Sequence, residues 1–564
     1  TTDPNGLVTT FTYTARGWLK TRTARTEVDS FDYDNVGQLK QHTRPDGSFV
    51  LYEYDDAHRL TDIVLGDGSR LHYTLDNAGN RTGEEIRDSA GTVTYTHTRN
   101  YDALGRLWQD IGAYNQTVTY GYDAQGNLKT EDGARTDVTD LTNHDYDTLD
   151  RLTQTLAADN GTTSWQYNAR DDVTQVTDPA YQATTTAPDA FGRVTTTTSA
   201  DTGVTSRTYD SAGNLKTETD ARGITVTYSW DALNRLTQKV SSDPNTPRFG
   251  YGYDSCTKGK GRLCYTYLNN GIDLVYATYD AYGRVDSRIQ FQGSGGLMLE
   301  YTYRPGGQIE TMTYWPNGTV VTYDYDTLGR IRTVTAENGG SSPVTLVNPI
   351  SYAPFGAPTY FTYGNGALMF TQYDLDYRPT LMRDGPWHKT YGYDPAGNVD
   401  SLTDYDLGGI VDYAYDATGR LNGATDPATW GALGWTYDGN GNRQSETRNA
   451  SHLDYVYNPA GGNWLFQIGS DIRPKTANGN VASGSAIGTL SYDGYNRLVG
   501  TTNLQTVYTY NALGQRFKKT NQNGLTTTFQ YGEQGQLLQE KTGSNTKEYI
   551  WMGDRLLARV DNGT

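Results

Sequence analysis

Tyr101-Asp102-Ala103-Leu104-Gly105-Arg106-Leu107 and Tyr122-Asp123-Ala124-Gln125-Gly126-Asn127-Leu128 are two copies of one phrase. It consists of an aromatic, Asp, two residues, Gly, Arg or Asn, and an aliphatic. It returns as Tyr209-Asp210-Ser211-Ala212-Gly213, Tyr325-Asp326-Thr327-Leu328-Gly329 and Tyr415-Asp416-Ala417-Thr418-Gly419, and with Trp230 in the first place. Following the aromatic slot from Tyr13 to Tyr531 gives about 25 units, spaced about 21–22 residues apart. Leu75, Pro188 and Lys475 fill the slot without being aromatic, but neighbours such as Asp76-Asn77-Ala78-Gly79-Asn80 keep the phase. One short period from end to end reads as a single repeat array over residues 1–564, not as several domains.

Each unit reads as a β-hairpin. Before the phrase, aromatics stand two apart, as in Tyr228-Ser229-Trp230, Tyr251-Gly252-Tyr253 and Tyr413-Ala414-Tyr415, with Thr and Val between units. Period two with such residues predicts strands with one buried face. Asp102, Asp123, Asp210, Asp326 and Asp416 can then bond their own following backbone, while Gly105, Gly126, Gly213, Gly329 and Gly419 supply the positive φ that ends the turn. A second set of turns, including Pro45-Asp46-Gly47, Gly66-Asp67-Gly68 and Pro316-Asn317-Gly318, links one unit to the next. The fold class is therefore all-β, a spiralling sheet of tandem hairpins. A lone hairpin is marginal in water, so stability must accumulate between neighbours.

Composition fits this economy. Of 564 residues, 35% are hydrophobic, but 46 are Tyr. Leu, Ile, Val and Phe make up roughly 17%, below the ~20% that with high net charge marks disorder. An aromatic content of 12% argues the other way. The net charge of -18 excludes a nucleic-acid backbone as partner, and no apolar run is long enough to span a membrane.

The repeated turn carboxylates could be taken for acid–base pairs or calcium ligands. They occupy equivalent turns, whereas glycosidases need two carboxylates in different environments, and no unit spaces its Asp residues as a calcium loop does. The seven His (His42, His58, His72, His97, His144, His388, His452) are dispersed, with no metal-ligand spacing. No nucleophile-elbow phrase introduces a Ser; Gly293-Ser294-Gly295 lies in a Gly-rich loop. No cofactor is expected. Cys256 and Cys264 flank an enlarged turn and can face each other on paired strands. In an exported protein they would form a disulfide; the alternative is two free thiols. Trp165, Trp230 and Trp435 are in repeat phase and read as packing, whereas Trp387, Trp430 and Trp464 are off phase. Irregular stretches around 178–186, 291–298, 336–349 and 459–490 are the places for a specific contact.

The Tyr-Asp phrase followed by Gly-Arg-Leu or Gly-Asn-Leu resembles the YD-repeat, or Rhs, family over essentially the whole chain. That family includes bacterial Rhs polymorphic toxins, B and C components of insecticidal ABC toxins, wall-associated proteins and teneurins. The resemblance implies a sheet ribbon that spirals into a hollow shell, which in toxin members encloses a C-terminal toxic polypeptide. Tyr549-Ile550-Trp551-Met552-Gly553-Asp554-Arg555-Leu556-Leu557-Ala558 resembles a phrase found shortly before the family's shell-closing, self-cleaving core. No such core follows, so cleavage is carried over to no residue.

The resemblance implies a structural segment of a bacterial exported or surface protein that encloses or presents a toxin polypeptide. Its partners would be the rest of an Rhs-type polypeptide, a secretion apparatus or a surface glycan. A carbohydrate- or cell-wall-binding module is the second reading and an enzyme with an unrecognised site the third. Roughly 50 strands at ~4.8 Å make a ribbon about 240 Å long. Closed once, it would be a belt about 75 Å across and one strand tall.

Overall fold

The computed structural model describes residues 1–269, 272–292, 295–458 and 461–562. Among these no helix occurs. Strands run from Thr9–Tyr13 to Arg555–Asp561, 43 in one antiparallel sheet and nine in a second. Each hairpin is closed by the Tyr-Asp turn and joined to the next by a linker turn, so sequence order is pairing order. Among the described pairings none joins the first strand to the last of the large sheet, which is therefore not a closed barrel.

Most units carry the same irregularity. Tyr122 pairs with Leu128 while Gly121 pairs with Thr130, so a β-bulge sits at the aromatic slot. The shift recurs at Tyr209, Tyr325 and Tyr415, and at Leu75 and Pro188, which explains why those units keep phase without an aromatic. At Lys475 only an isolated bridge to Val481 remains.

The bulge accounts for the preference for Tyr over Phe, 46 residues against 12. The ladder from Leu107–Ile111 to the next strand begins at Gln109, leaving Leu107 outside it. The Tyr122 hydroxyl donates to the Leu107 carbonyl at 2.8 Å. Tyr209 does the same to Val194, Tyr325 to Ile309 and Tyr415 to Val399. Trp230 and Trp551 donate instead through the indole N–H, each at 2.8 Å, to Leu215 and Leu537. The slot favours an aromatic body with a donor at its tip. Tyr325→Phe is expected to cost about 1–3 kcal/mol, the penalty for leaving a partly buried carbonyl unpaired, measured as a shift in denaturant midpoint.

The chain divides into two compact units, each assembled from separated runs. The first comprises residues 1–98, 249–387 and 509–564; the second comprises 99–248 and 388–508. Within the first, Gln308 donates to Asp46 at 2.6 Å, Arg284 to Glu27 at 3.0 Å, and Tyr282 meets Thr26 at 2.9 Å. Within the second, Asn440 donates to Asp178 at 2.9 Å, Arg420 pairs with Asp159 at 2.9 Å, and Asn478 donates to Asp220 at 2.6 Å.

In each unit, Tyr-Asp turns of the later run therefore meet linker turns of the earlier run, edge to edge. The separations lie between 248 and 285 residues. This corrects the single-closure arithmetic: the ribbon meets itself after about twelve repeats, roughly half its length, because acidic linker turns and Arg- or Asn-bearing Tyr-Asp turns are complementary.

Candidate functional site

The turn carboxylates are fully engaged. Asp102 Oδ1 accepts the backbone N–H of Leu104 and of Arg106, both at 2.9 Å, and its Oδ2 accepts Arg106 Nε at 2.7 Å. Gly105, at φ +76°, closes the loop by donating to the Asp102 carbonyl. Asp123 is held the same way with Asn127 as side-chain donor. This explains why Arg or Asn follows the Gly. The Arg also covers the next unit's aromatic, with Arg106 4.4 Å from the Tyr122 ring centre. The backbone N–H of Arg106, helped by its side chain, holds the Asp102 carboxyl below its ordinary range. At Asp123 partial desolvation pushes upward and is outweighed by Asn127 and backbone donors. Carboxylates kept ionised and saturated with donors are poor proton shuttles.

The other candidates disperse. His42, His72 and His452 pair with Asp29, Asp62 and Asp454, His58 with Gln38 and His144 with Thr155. Among the described residues no group of three or more potential metal ligands occurs. Trp387 is 64% exposed, whereas Trp430 and Trp464 are half-buried, the latter edge-on to Phe466. Gly293-Ser294 and residues 459–460 lie outside the described residues. The stretch 178–186 contributes Asp178 to an edge contact.

Cys256 and Cys264 lie across their enlarged turn with Cα atoms 5.4 Å apart and their sulfurs joined. Reduction is expected to destabilise this loop by about 2 kcal/mol, by the loop-entropy argument for a short closed ring. Mass measurement with and without reductant, beside thermal melts, checks it.

The deepest burial lies elsewhere, where the last hairpin, Asn545–Met552 with Arg555–Asp561, crosses a sheet face of the first unit. Thr546, Glu548, Ile550 and Met552 point inward in strict alternation. Ile550 and Met552 join Leu299, Tyr314, Val321, Val334, Val347 and Phe361 in one cluster. Tyr314 and Tyr323 donate to the carbonyls of Tyr549 and Trp551, each at 3.0 Å. Asn317 donates to buried Glu548 at 3.0 Å, and burial raises that carboxyl's pKa. Arg555 reaches Asp384 at 2.5 Å and Tyr363 at 3.1 Å.

Two clefts flank this hairpin. One, of about 790 Å³, is lined by Ile331, Tyr352, Met369, Tyr373, Met382 and Arg555 among others. The second, of about 340 Å³, includes Tyr301, Tyr303, Met312, Tyr323 and Trp551. Desolvation pushes Tyr325 and Tyr352 up to about 12, so their hydroxyls stay neutral donors. Aromatic and methionine side chains with few charged groups suit an adaptable apolar guest. Sequence reasoning marked the phrase 549–558 without seeing this face. The only local signal was alternation through Ile550 and Met552.

The fold and its turns define a tandem Tyr-Asp hairpin protein. A family model for the RHS Repeat matches residues 33–70, 146–183, 189–225 and 209–246. Among solved structures, the chain is similar to the crystal structure of TcdB2-TccC3-Cdc42, with a TM-score of 0.73 at 15% identity, over 98% of this chain and 33% of that one. TcdB2-TccC3 without its hypervariable C-terminal region gives 0.72 at 14% identity, over 95% and 33%. The Photorhabdus luminescens Tc holotoxin pore gives 0.65 at 15% identity, over 99% and 32%. No curated sequence matches at a significant level. Those four stretches match the RHS repeat, and the chain as a whole has the sheet fold of those structures and spans about a third of their length.

Proposed function

We propose that residues 1–564 act as one array forming a wall segment of an Rhs-type shell, and that its work is to enclose or present another polypeptide. The supporting observation is the Tyr- and Met-lined face beside the last hairpin, which offers apolar clefts. The role is structural, not catalytic: its carboxylates hold turns and its tyrosines hold bulges. Solved structures of its fold include toxin complexes, which supports a bacterial exported protein whose partner is Rhs-associated polypeptide.

The reading is tested with fluorescently labelled, reduced and carboxymethylated α-lactalbumin as an unfolded probe. Anisotropy should show saturable binding that Met382→Glu with Ala357→Glu, the latter an exposed residue of the same cleft, weakens at least tenfold while the melting curve of the protein is kept. Absent binding, or binding indifferent to the substitutions, contradicts it.

A further inference from the structure

Glu548 is fully buried on the inward face of the last hairpin, between Thr546 and Ile550. The charged groups of that hairpin and its neighbours are engaged elsewhere. Lys547 pairs with Glu540 at 3.1 Å, Arg559 with Asp561 at 2.7 Å and Arg555 with Asp384 at 2.5 Å. Within the hairpin and the strand before it, Glu548 stands opposite Val560 and Gln539. From the sheet packed against it come Asn317, Thr319 and the buried hydroxyl of Tyr314, none of them a cation. A buried carboxylate with no cation beside it is costly, and protonation is the usual escape.

Gln539 supplies the partner for that proton. It too is fully buried. Its Nε2 donates to the Trp315 carbonyl at 3.1 Å and to Glu548 Oε1 at 3.4 Å. A carbonyl only accepts, so the nitrogen end of the amide is settled and its oxygen is turned the other way. Two buried atoms are then left without a partner, Gln539 Oε1 and Glu548 Oε2. Both are acceptors while the carboxyl is ionised; a proton on Oε2 makes one a donor to the other. Acid and amide then hold each other through two reciprocal bonds. Burial raises the carboxyl's pKa, outweighing Thr319, Gln539 and Asn317, whose donors favour the ion.

We propose that the last hairpin is a proton-dependent latch: in its closed form Glu548 is a carboxylic acid paired with Gln539, and loss of that proton releases the hairpin from the sheet. The proposal concerns how the hairpin is seated, so it stands or falls separately from any guest in the clefts. The sign follows from linkage. Released into water, Glu548 titrates near the ordinary 4.5, whereas the closed form keeps its proton to higher pH. Between those two values closing takes up a proton, so each pH unit favours the open hairpin by up to about tenfold.

The test is hydrogen exchange of the whole chain beside Glu548→Gln, which places an amide N–H where the acid O–H stood and cannot ionise. Dividing parent by variant rates at each pH removes the intrinsic pH dependence of exchange. For amides of 545–561 this ratio should climb from about pH 5 by up to about tenfold per unit, then level off where Glu548 ionises in the closed form. For amides of the second unit it should stay constant. A ratio for 545–561 that does not change with pH, or a variant whose hairpin has already lost protection at pH 5, would overturn the latch. A measurement on the parent alone guards against a variant that misfolds. With glutamate side-chain carboxyls labelled with carbon-13, one resonance should keep its acid position after the others have ionised. If every glutamate titrates in the ordinary range, the acid–amide pair does not exist.

Discussion

Phe361→Ala should destabilise the first unit by about 3–5 kcal/mol, the range for emptying an aromatic site in a core that cannot collapse. Phe361 is fully buried, meets Tyr363 edge-on at 4.9 Å and lies beneath the Arg555 guanidinium at 5.6 Å. It belongs to the cluster that receives Ile550 and Met552 from the last hairpin. Elsewhere strands mostly bury one face in part, so losing a side chain there costs a neighbour contact. Here the loss also loosens the hairpin held through Tyr314, Tyr323 and Arg555. Hydrogen exchange should therefore show amides of 545–561 losing protection together with those of 358–373, while amides in the second unit keep theirs. A change confined to the neighbours of Phe361 would show that the hairpin is held independently.

The second large effect is acid unfolding. Donors in the turns lower Asp102, Asp147, Asp189, Asp210 and Asp231 below the ordinary carboxylate value of 3.8. The leading causes are the backbone N–H groups of Arg106 and Arg235 and the side chains of Arg151, Arg193 and Asn214. A depressed folded pKa means that the unfolded chain binds protons first. The stabilisation is complete above about pH 4 and is lost as pH falls through the folded values.

Asp46 and Asp220, on the edge contacts, are lowered as well, despite desolvation, by Gln308 and Ser48 and by Arg222 and Asn478. Glu548 has the opposite sign, its contribution being present below 4.5 and lost as pH rises, but it is one group against many. Melting temperature should therefore hold above about pH 4 and fall progressively below it, as the turn carboxylates protonate. A flat profile down to pH 3 would remove the turn carboxylates from the account.

Much of this architecture is legible locally. The Tyr-Asp phrase predicts strand, turn and return strand because every determinant lies within seven residues: alternation, the Asp that caps its own turn, and the Gly at positive φ. The role of the tyrosine hydroxyl is harder to see, since its acceptor lies about 15 residues back, across a bulge that no residue type announces. Edge contacts leave no local trace at all. Asn440 and Asp178 stand 262 residues apart, and Leu104 and Leu328 occupy the same place in nearly identical turns, yet one is exposed and the other lies beside Gly66. The arithmetic of one closure missed this because it let the sheet bend only as far as its length required. The last hairpin was marked for its resemblance, while its packing depends on side chains about 180–250 residues upstream.

The central claim is that the face beside the last hairpin receives another polypeptide. It is tested most directly by placing the photo-crosslinker p-benzoylphenylalanine at Met382, inside the larger cleft, and at Val204, on the exposed surface of the second unit. Each protein is irradiated with the carboxymethylated α-lactalbumin probe and the adducts are mapped by mass spectrometry. Strong adduct formation from position 382 with little from 204 is the predicted result. Equal labelling from both positions, or none from 382, would contradict the account.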